Sequence, residues 1–142
     1  MNGFLIDTNV LSELRKERTC HPAVRQWYDS VADEDLYLSV LILGEIRHGI
    51  ERIRRRDPRA ARALDEWVSR ITTEFADRVL PIDAEVADKW GHLGLEQPLP
   101  VVDGYLAATA MVHDLTLVSR DKTGFQNVPV RVFNPFEATK SR

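Results

Sequence analysis

A single cysteine, four histidines and no long apolar run in 142 residues remove several classes of protein at the outset. Cys20 has no partner for an internal disulfide, and its neighbours Arg18, Thr19 and His21 match no zinc or redox spacing. A reducing, cytoplasmic setting is the simplest expectation. The apolar stretch nearest the N-terminus, Phe4 to Ile6, is too short for the core of a signal peptide, and nothing later approaches a membrane span. The scattered histidines form no zinc constellation. Gly44 and Gly49 lack the Lys-Ser or Lys-Thr that a phosphate-binding loop requires, and no GxGxxG or GxSxG stretch occurs.

Charge of one sign is also missing in bulk. The formal net charge of -3 argues against a protein that coats nucleic acid, yet its distribution is uneven. From Arg47 to Arg62 there are seven arginines against Glu51 and Asp57, whereas Met1 to Ile46 carries four basic residues against eight acids. Two readings of the basic segment stand side by side: a solvated helical surface, or a track for phosphates.

The remaining composition, 44% hydrophobic, suits one domain with a core, residues 1–142. Apolar runs at Phe4–Ile6, Leu36–Val40, Val79–Ile82, Leu115–Ser119 and Val130–Phe133 predict strands, and helical periodicities fall between them. Leu43, Ile46, Ile50 and Ile53 predict one apolar stripe on a helix from about Leu41 to Arg56, with Glu45 roughly opposite it on the side shared by His48, Arg52 and Arg56. Pro22 and Pro58 suit first helical turns, and Asp83 suits an N-cap. Val101 to His113 is small and apolar nearly all round, as in a helix buried against a sheet. Trp27, Trp67 and Trp90 fall on apolar helix faces, which assigns them to core or interface. Beyond the last strand, Glu137 to Arg142 reads as a polar tail. Strands alternating with helices predict an α/β domain of three layers around a mostly parallel sheet.

In such a sheet the carboxyl ends of the strands open onto the binding crevice. Asp7 and Asp121 follow strands, and Glu45 lies in the early turns of the helix after the second strand, so all three belong to one rim. Asp103, in the first turn of its helix, joins them if that helix runs antiparallel to the following strand. Each acid alone has an ordinary reading: Asp7 as an N-cap, Asp103 as a complement to the helix dipole, Glu45 paired with His48, Asp121 in an Asx turn. Together they would repel one another and raise some of their pKa values unless a cation intervened. Oxygen-only donors select a hard divalent ion, Mg²⁺ or Mn²⁺. Thr8, Asn9 and Ser119 are candidate donors to the carboxylates, and equally candidate turn or cap residues. An aspartyl-phosphate phosphatase would carry a second Asp where Asn9 stands.

Four motifs follow one another along the chain: Asp7-Thr8-Asn9 with Leu11 and Glu13; Leu43-Gly44-Glu45-Ile46-Arg47-His48-Gly49; Pro100-Val101-Val102-Asp103 followed by Ala107-Ala108-Thr109-Ala110; and Leu117-Val118-Ser119-Arg120-Asp121. Together they resemble a PIN domain, specifically a VapC-type toxin of the FitB-like branch. The resemblance spans nearly the whole chain and is loosest around Asp121. It implies a metal-dependent endoribonuclease of a toxin–antitoxin pair with Asp7, Glu45, Asp103 and Asp121 as its site, dimeric, and held inactive by a VapB-type antitoxin. On that reading Arg52, Arg55 and Arg56 guide the RNA backbone. The alternative is a silent PIN-like module that binds RNA or protein without cleaving.

Overall fold

The computed structural model describes residues 3–137; of the polar tail expected from Glu137 to Arg142, all but Glu137 lies outside the described residues. Five strands, β1 (Phe4–Ile6), β2 (Leu36–Ser39), β3 (Val79–Leu80), β4 (Thr116–Val118) and β5 (Val132–Phe133), form a sheet in the order β3-β2-β1-β4-β5. Every pairing is parallel, with Leu5 against Tyr37 on one side of β1 and Ile6 against Val118 on the other. Apart from Phe4–Ile6, which is β1 as expected, the apolar runs that predicted strands are longer than the strands they make. β3 stops before Pro81, which has no N–H to give to the ladder, and β5 is confined to two residues.

Among the described residues six α-helices flank the sheet: α1 (Thr8–Leu14), α2 (Pro22–Ser30), α3 (Val40–Arg54), α4 (Pro58–Glu74), α5 (Ala84–Gly91) and α6 (Val101–Val112). Pro22 and Pro58 open α2 and α4, and Asp83 caps α5 by accepting from Val86 N. Leu5, Ile6, Leu38 and Leu117 on the strands, with Ile42, Leu106, Ala107 and Ala110 on the helices, form a fully covered core. No helix among the described residues is long and apolar enough to cross a membrane.

The chain moves outward from β1 to β2 and β3, then crosses back over β1 to β4 and continues to β5. Right-handed crossovers place the connections of these two halves on opposite faces, and the crevice opens where the winding reverses, at the carboxyl ends of β1 and β4. A tight turn through Asp114, in the left-handed region at φ 55°, drops α6 directly into β4. Asp is among the residues that tolerate this region. The return is short enough to bring the N-terminus of α6 back to the same rim.

Two details of α3 differ from the periodicity. Ser39 caps the helix through its hydroxyl, which accepts from Leu41 N at 3.0 Å, so Val40 begins the helix and does not continue the strand. The fully buried stripe is Ile42, Ile46 and Ile50, while Leu43 and Ile53 are only partly covered. At 100° per residue this rotates the buried face toward Glu45, which flanks the core and does not oppose it.

Candidate active site

Asp7 is the first residue past β1, and its N–H still continues the ladder by donating to Val118 O at 2.9 Å. Its carboxylate is fixed from two sides. Oδ1 accepts from Thr8 N at 2.7 Å, and Oδ2 accepts from the fully buried Ser119 hydroxyl at 2.8 Å. Asp7 is therefore the N-cap of α1, as one of its ordinary readings has it, and it also stands in the crevice.

Ser119 serves a second acid, because its Oγ accepts from Asp121 N at 3.2 Å. Asp121 in turn accepts from Thr123 Oγ1 and Gly124 N, both at 3.0 Å on Oδ1, which is an Asx-type turn. Glu45 does not pair with His48; its Oε1 accepts from Thr8 Oγ1 at 2.7 Å. Asp103 sits in the first turn of α6. Its neighbour Gly104 lets Trp90 lie close, since a Cβ there would stand 2.8 Å from the indole nitrogen. No hydrogen bond reaches the Asp103 carboxylate among the described residues.

These groups share one open cavity of about 430 Å³, lined by Asp7, Thr8, Asn9, Glu45, Asp103, Asp121 and Phe125. Burial pushes the Asp7 carboxyl above the usual carboxylate value, with Glu45 and Asp121 adding to the rise and the Ser119 and Thr8 hydrogen bonds opposing it. Burial also raises Asp103, followed by the negative charges of Asp7, Asp121 and Glu45. Among the described residues none of the four has an ion-pair partner. Nor do any three acid, histidine or cysteine side chains there already stand in ligating geometry. A divalent cation fits this donor set chemically: the oxygens are hard, the charges uncompensated, and the Asp103 carboxylate free of protein donors.

The other sequence-derived candidates are placed less uniformly. Asn9 reaches the cavity, and its Oδ1 accepts from Arg120 N at 3.4 Å. Arg52, Arg55 and Arg56 are exposed, with Arg52 seven residues, hence two turns or about 10 Å, beyond Glu45 on nearly the same side of α3. Arg47 and Arg54 are committed elsewhere: both bind Asp65 of α4 and Glu51, with Arg54 making paired bonds to Asp65 at 2.8 and 3.0 Å. The basic window is thus partly neutralised by an acid outside it. Of the tryptophans, Trp27 is core, Trp67 takes the Arg15 guanidinium over its ring, and Trp90 stacks on Tyr105 at 4.7 Å.

A second and larger cavity, about 770 Å³, opens along the other side of α1. Ile6, Leu11, Ile71 and Phe75 form its apolar floor, and Arg15, Arg18, Arg25 and Arg70 stand around it with Glu17 and Glu74. One helix therefore presents Thr8 and Asn9 to the acids and Leu11, Leu14 and Arg15 to this groove.

A parallel three-layer α/β domain with four acids at the reversal of its winding defines a class of acidic-site domains. The chain belongs to the PIN-domain family, whose model matches residues 4–130. It is 36% identical to Toxin FitB of Neisseria gonorrhoeae over 94% of this chain and 98% of that protein, which supports the FitB-like branch. It is 32% identical to VapC ribonuclease Y4jK of Sinorhizobium fredii over 94% and 98% of the two chains. Among solved structures, FitAB bound to an IR36 DNA fragment superposes with a TM-score of 0.85 at 32% identity, covering 98% of this chain and 99% of that one.

Proposed function

We propose that this chain is the toxin of a type II toxin–antitoxin pair and a metal-dependent endoribonuclease that hydrolyses RNA phosphodiester bonds. The observation that carries the reading is the convergence of Asp7, Glu45, Asp103 and Asp121 on one cavity without a countercharge. The names of the relatives, a toxin and a VapC ribonuclease, agree with it.

Asp7 and Asp103 would be the principal ligands for Mg²⁺, with Mn²⁺ as substitute; Glu45 would hold a second ion or orient the attacking water, and Asp121 would complete the shell directly or through water. When bound, the cation supplies Lewis acidity, lowering the pKa of a water and neutralising charge that develops on the phosphate. The chain's own contribution is orientation. Ser119 aims Asp7 and holds the Asp121 backbone, and Thr8 turns Glu45 toward the site. The exposed arginines Arg52, Arg55 and Arg56 offset the repulsion between an acidic crevice and a polyanion.

The test is cleavage of varied structured and unstructured RNAs by purified, antitoxin-free protein. Cleavage with Mg²⁺ that EDTA abolishes is the expected result. Intact RNA with both Mg²⁺ and Mn²⁺ would leave the silent binding module as the better reading. That second reading draws on the absence, among the described residues, of three acids already in ligating geometry.

The same proposal gives the chain two protein partners. Val101, Leu95 and Trp90 are exposed apolar side chains available to a second copy in a homodimer. A VapB-type antitoxin would lay its C-terminal segment in the groove beside α1 and reach over the acids. A basic side chain from that segment would occupy the place of the cation, so the complex should bind Mg²⁺ at least tenfold more weakly than the free toxin. Calorimetric titration of both checks this, and equal affinities would exclude direct occlusion.

A further inference from the structure

The Asn134-Pro135 step that ends the last strand does more than terminate it. Asn134 is a buried polar residue, 8% exposed, whose two side-chain ends are both engaged. Its Nδ2 donates to Arg120 O at 3.1 Å, and its Oδ1 accepts from Phe136 N at 2.9 Å. Arg120 is gripped on its other side as well, because its N–H donates to Asn9 Oδ1 at 3.4 Å. Both backbone polar groups of one residue are therefore held by amide side chains from opposite ends of the chain. The guanidinium of Arg120 is also immobilised, lying 4.1 Å over the Phe136 ring, which itself packs edge-on against His21.

Arg120 is the single residue between Ser119 and Asp121. Ser119 is locked into the sheet, its N donating to Phe133 O at 3.0 Å and its hydroxyl to Asp7. Asp121 has left the sheet; besides its own turn to Thr123 and Gly124 and the bond from its N to Ser119 Oγ, its position depends on the backbone of Arg120. The held N–H belongs to the Ser119–Arg120 peptide and the held C=O to the Arg120–Asp121 peptide, so both planes flanking the Arg120 φ and ψ are fixed, and these torsions decide where the Asp121 carboxylate lies relative to Asp7 and Asp103.

We infer that Asn134 is a positioning residue for the acidic site, acting through the backbone of Arg120 to hold Asp121 at the cavity. Asn9 is the opposing jaw of the same clamp. The inference rests on the metal-site reading above for its consequence, but the clamp itself is a property of the folded chain.

Asn134→Asp isolates the proposed role. It keeps the oxygen that accepts from Phe136 N, and so the turn at Pro135, while replacing the donor to Arg120 O by a second acceptor. Its added negative charge would by itself tighten cation binding, so weakened binding cannot be charged to electrostatics. The expected results are three. Mn²⁺ affinity of Asn134→Asp falls about tenfold, and Asn134→Ala behaves alike. RNA cleavage loses about tenfold in kcat with KM within about twofold. Amide hydrogen exchange at Asp121 and Gly124 accelerates at least tenfold, while exchange in β1 and α6 is unchanged. Exchange at Asp121 and Gly124 equal to wild type overturns the clamp, whatever the enzyme does. Faster exchange there with Mn²⁺ affinity and kcat intact also overturns it, reducing Asn134 to a holder of the C-terminal turn. A wild-type protein that neither binds Mn²⁺ nor cleaves RNA would refute the proposed function and leave the exchange measurement to decide the clamp.

Discussion

Replacing Asp103 by Asn abolishes RNA cleavage while the metal-free protein melts at the same temperature as wild type or higher. Asp103 makes no hydrogen bond among the described residues that the amide would forfeit, and it faces three other acids. Removing its charge relieves repulsion and desolvation in the metal-free fold. It also removes a principal ligand. Loss of residues that merely support metal ligands costs about 10–100-fold, so loss of a ligand should cost at least that much in turnover. Asp7→Asn should have a similar effect on turnover, but with less gain in stability, because the Asp7 carboxylate also accepts from Thr8 N and Ser119 Oγ.

The dependence on pH follows from the same two groups. Asp7 and Asp103 both have folded-state pKa values raised above the ordinary 3.8. The folded protein then retains protons that the unfolded chain has released. Their contribution to stability is fully present below about pH 3.8 and is lost as pH rises through the folded values. The metal-free wild type should therefore lose melting temperature across that rise, and Asp103→Asn should lose less. A steep fall in melting temperature in metal-free Asp103→Asn would mean that this acid is a structural cap.

Substituting Arg52, Arg55 and Arg56 together by Ala weakens RNA binding and flattens its dependence on salt, with cleavage at saturating RNA nearly unchanged. Each phosphate contact on a single strand contributes a slope of about 0.7 in log affinity against log salt, so three lost contacts should lower the slope by about 2. Arg47 and Arg54 are excluded from this set because Glu51 and Asp65 already hold them. Glu45→Gln should act in the opposite sense, losing turnover while keeping or tightening RNA binding, since it removes a negative charge beside the path of the phosphates. Binding titrations at several salt concentrations, with Ca²⁺ replacing Mg²⁺ to suppress turnover, separate the two effects. An unchanged slope in the triple variant would return the segment to an ordinary solvated surface.

The arrangement of strands and the rim they share was legible because the acids follow apolar runs, and a carboxylate after a buried strand has few places to go. The parallel sheet, the proline-led helices and the cap at Asp83 rest on the same kind of local signal. What was not legible depends on partners far along the chain. The periodicity of α3 gives equal weight to Leu43 and Ile42, and only packing against the sheet decides that Ile42 is covered. A window ending at Arg62 cannot show that Asp65 takes two of its arginines. Ser119 bonds to Asp7 across 112 residues, and Arg120 to Asn9 across 111, so Ser119 and Asn9 could be named from sequence only as candidates. Asn134 gave only the signal of a strand-ending Asn-Pro, a common turn. The groove beside α1 had none, since its floor comes from β1, α1 and α4 together.

The central claim, that these four acids constitute a site for a divalent ion, is tested most directly by following Mn²⁺ binding with electron paramagnetic resonance in the free protein and in Asp103→Asn. Saturable binding by the wild type, strengthening with pH as the raised carboxyls lose their protons, and at least tenfold weaker binding by the variant are the expected results. Equal binding by the two proteins, or none by the wild type, would contradict the claim.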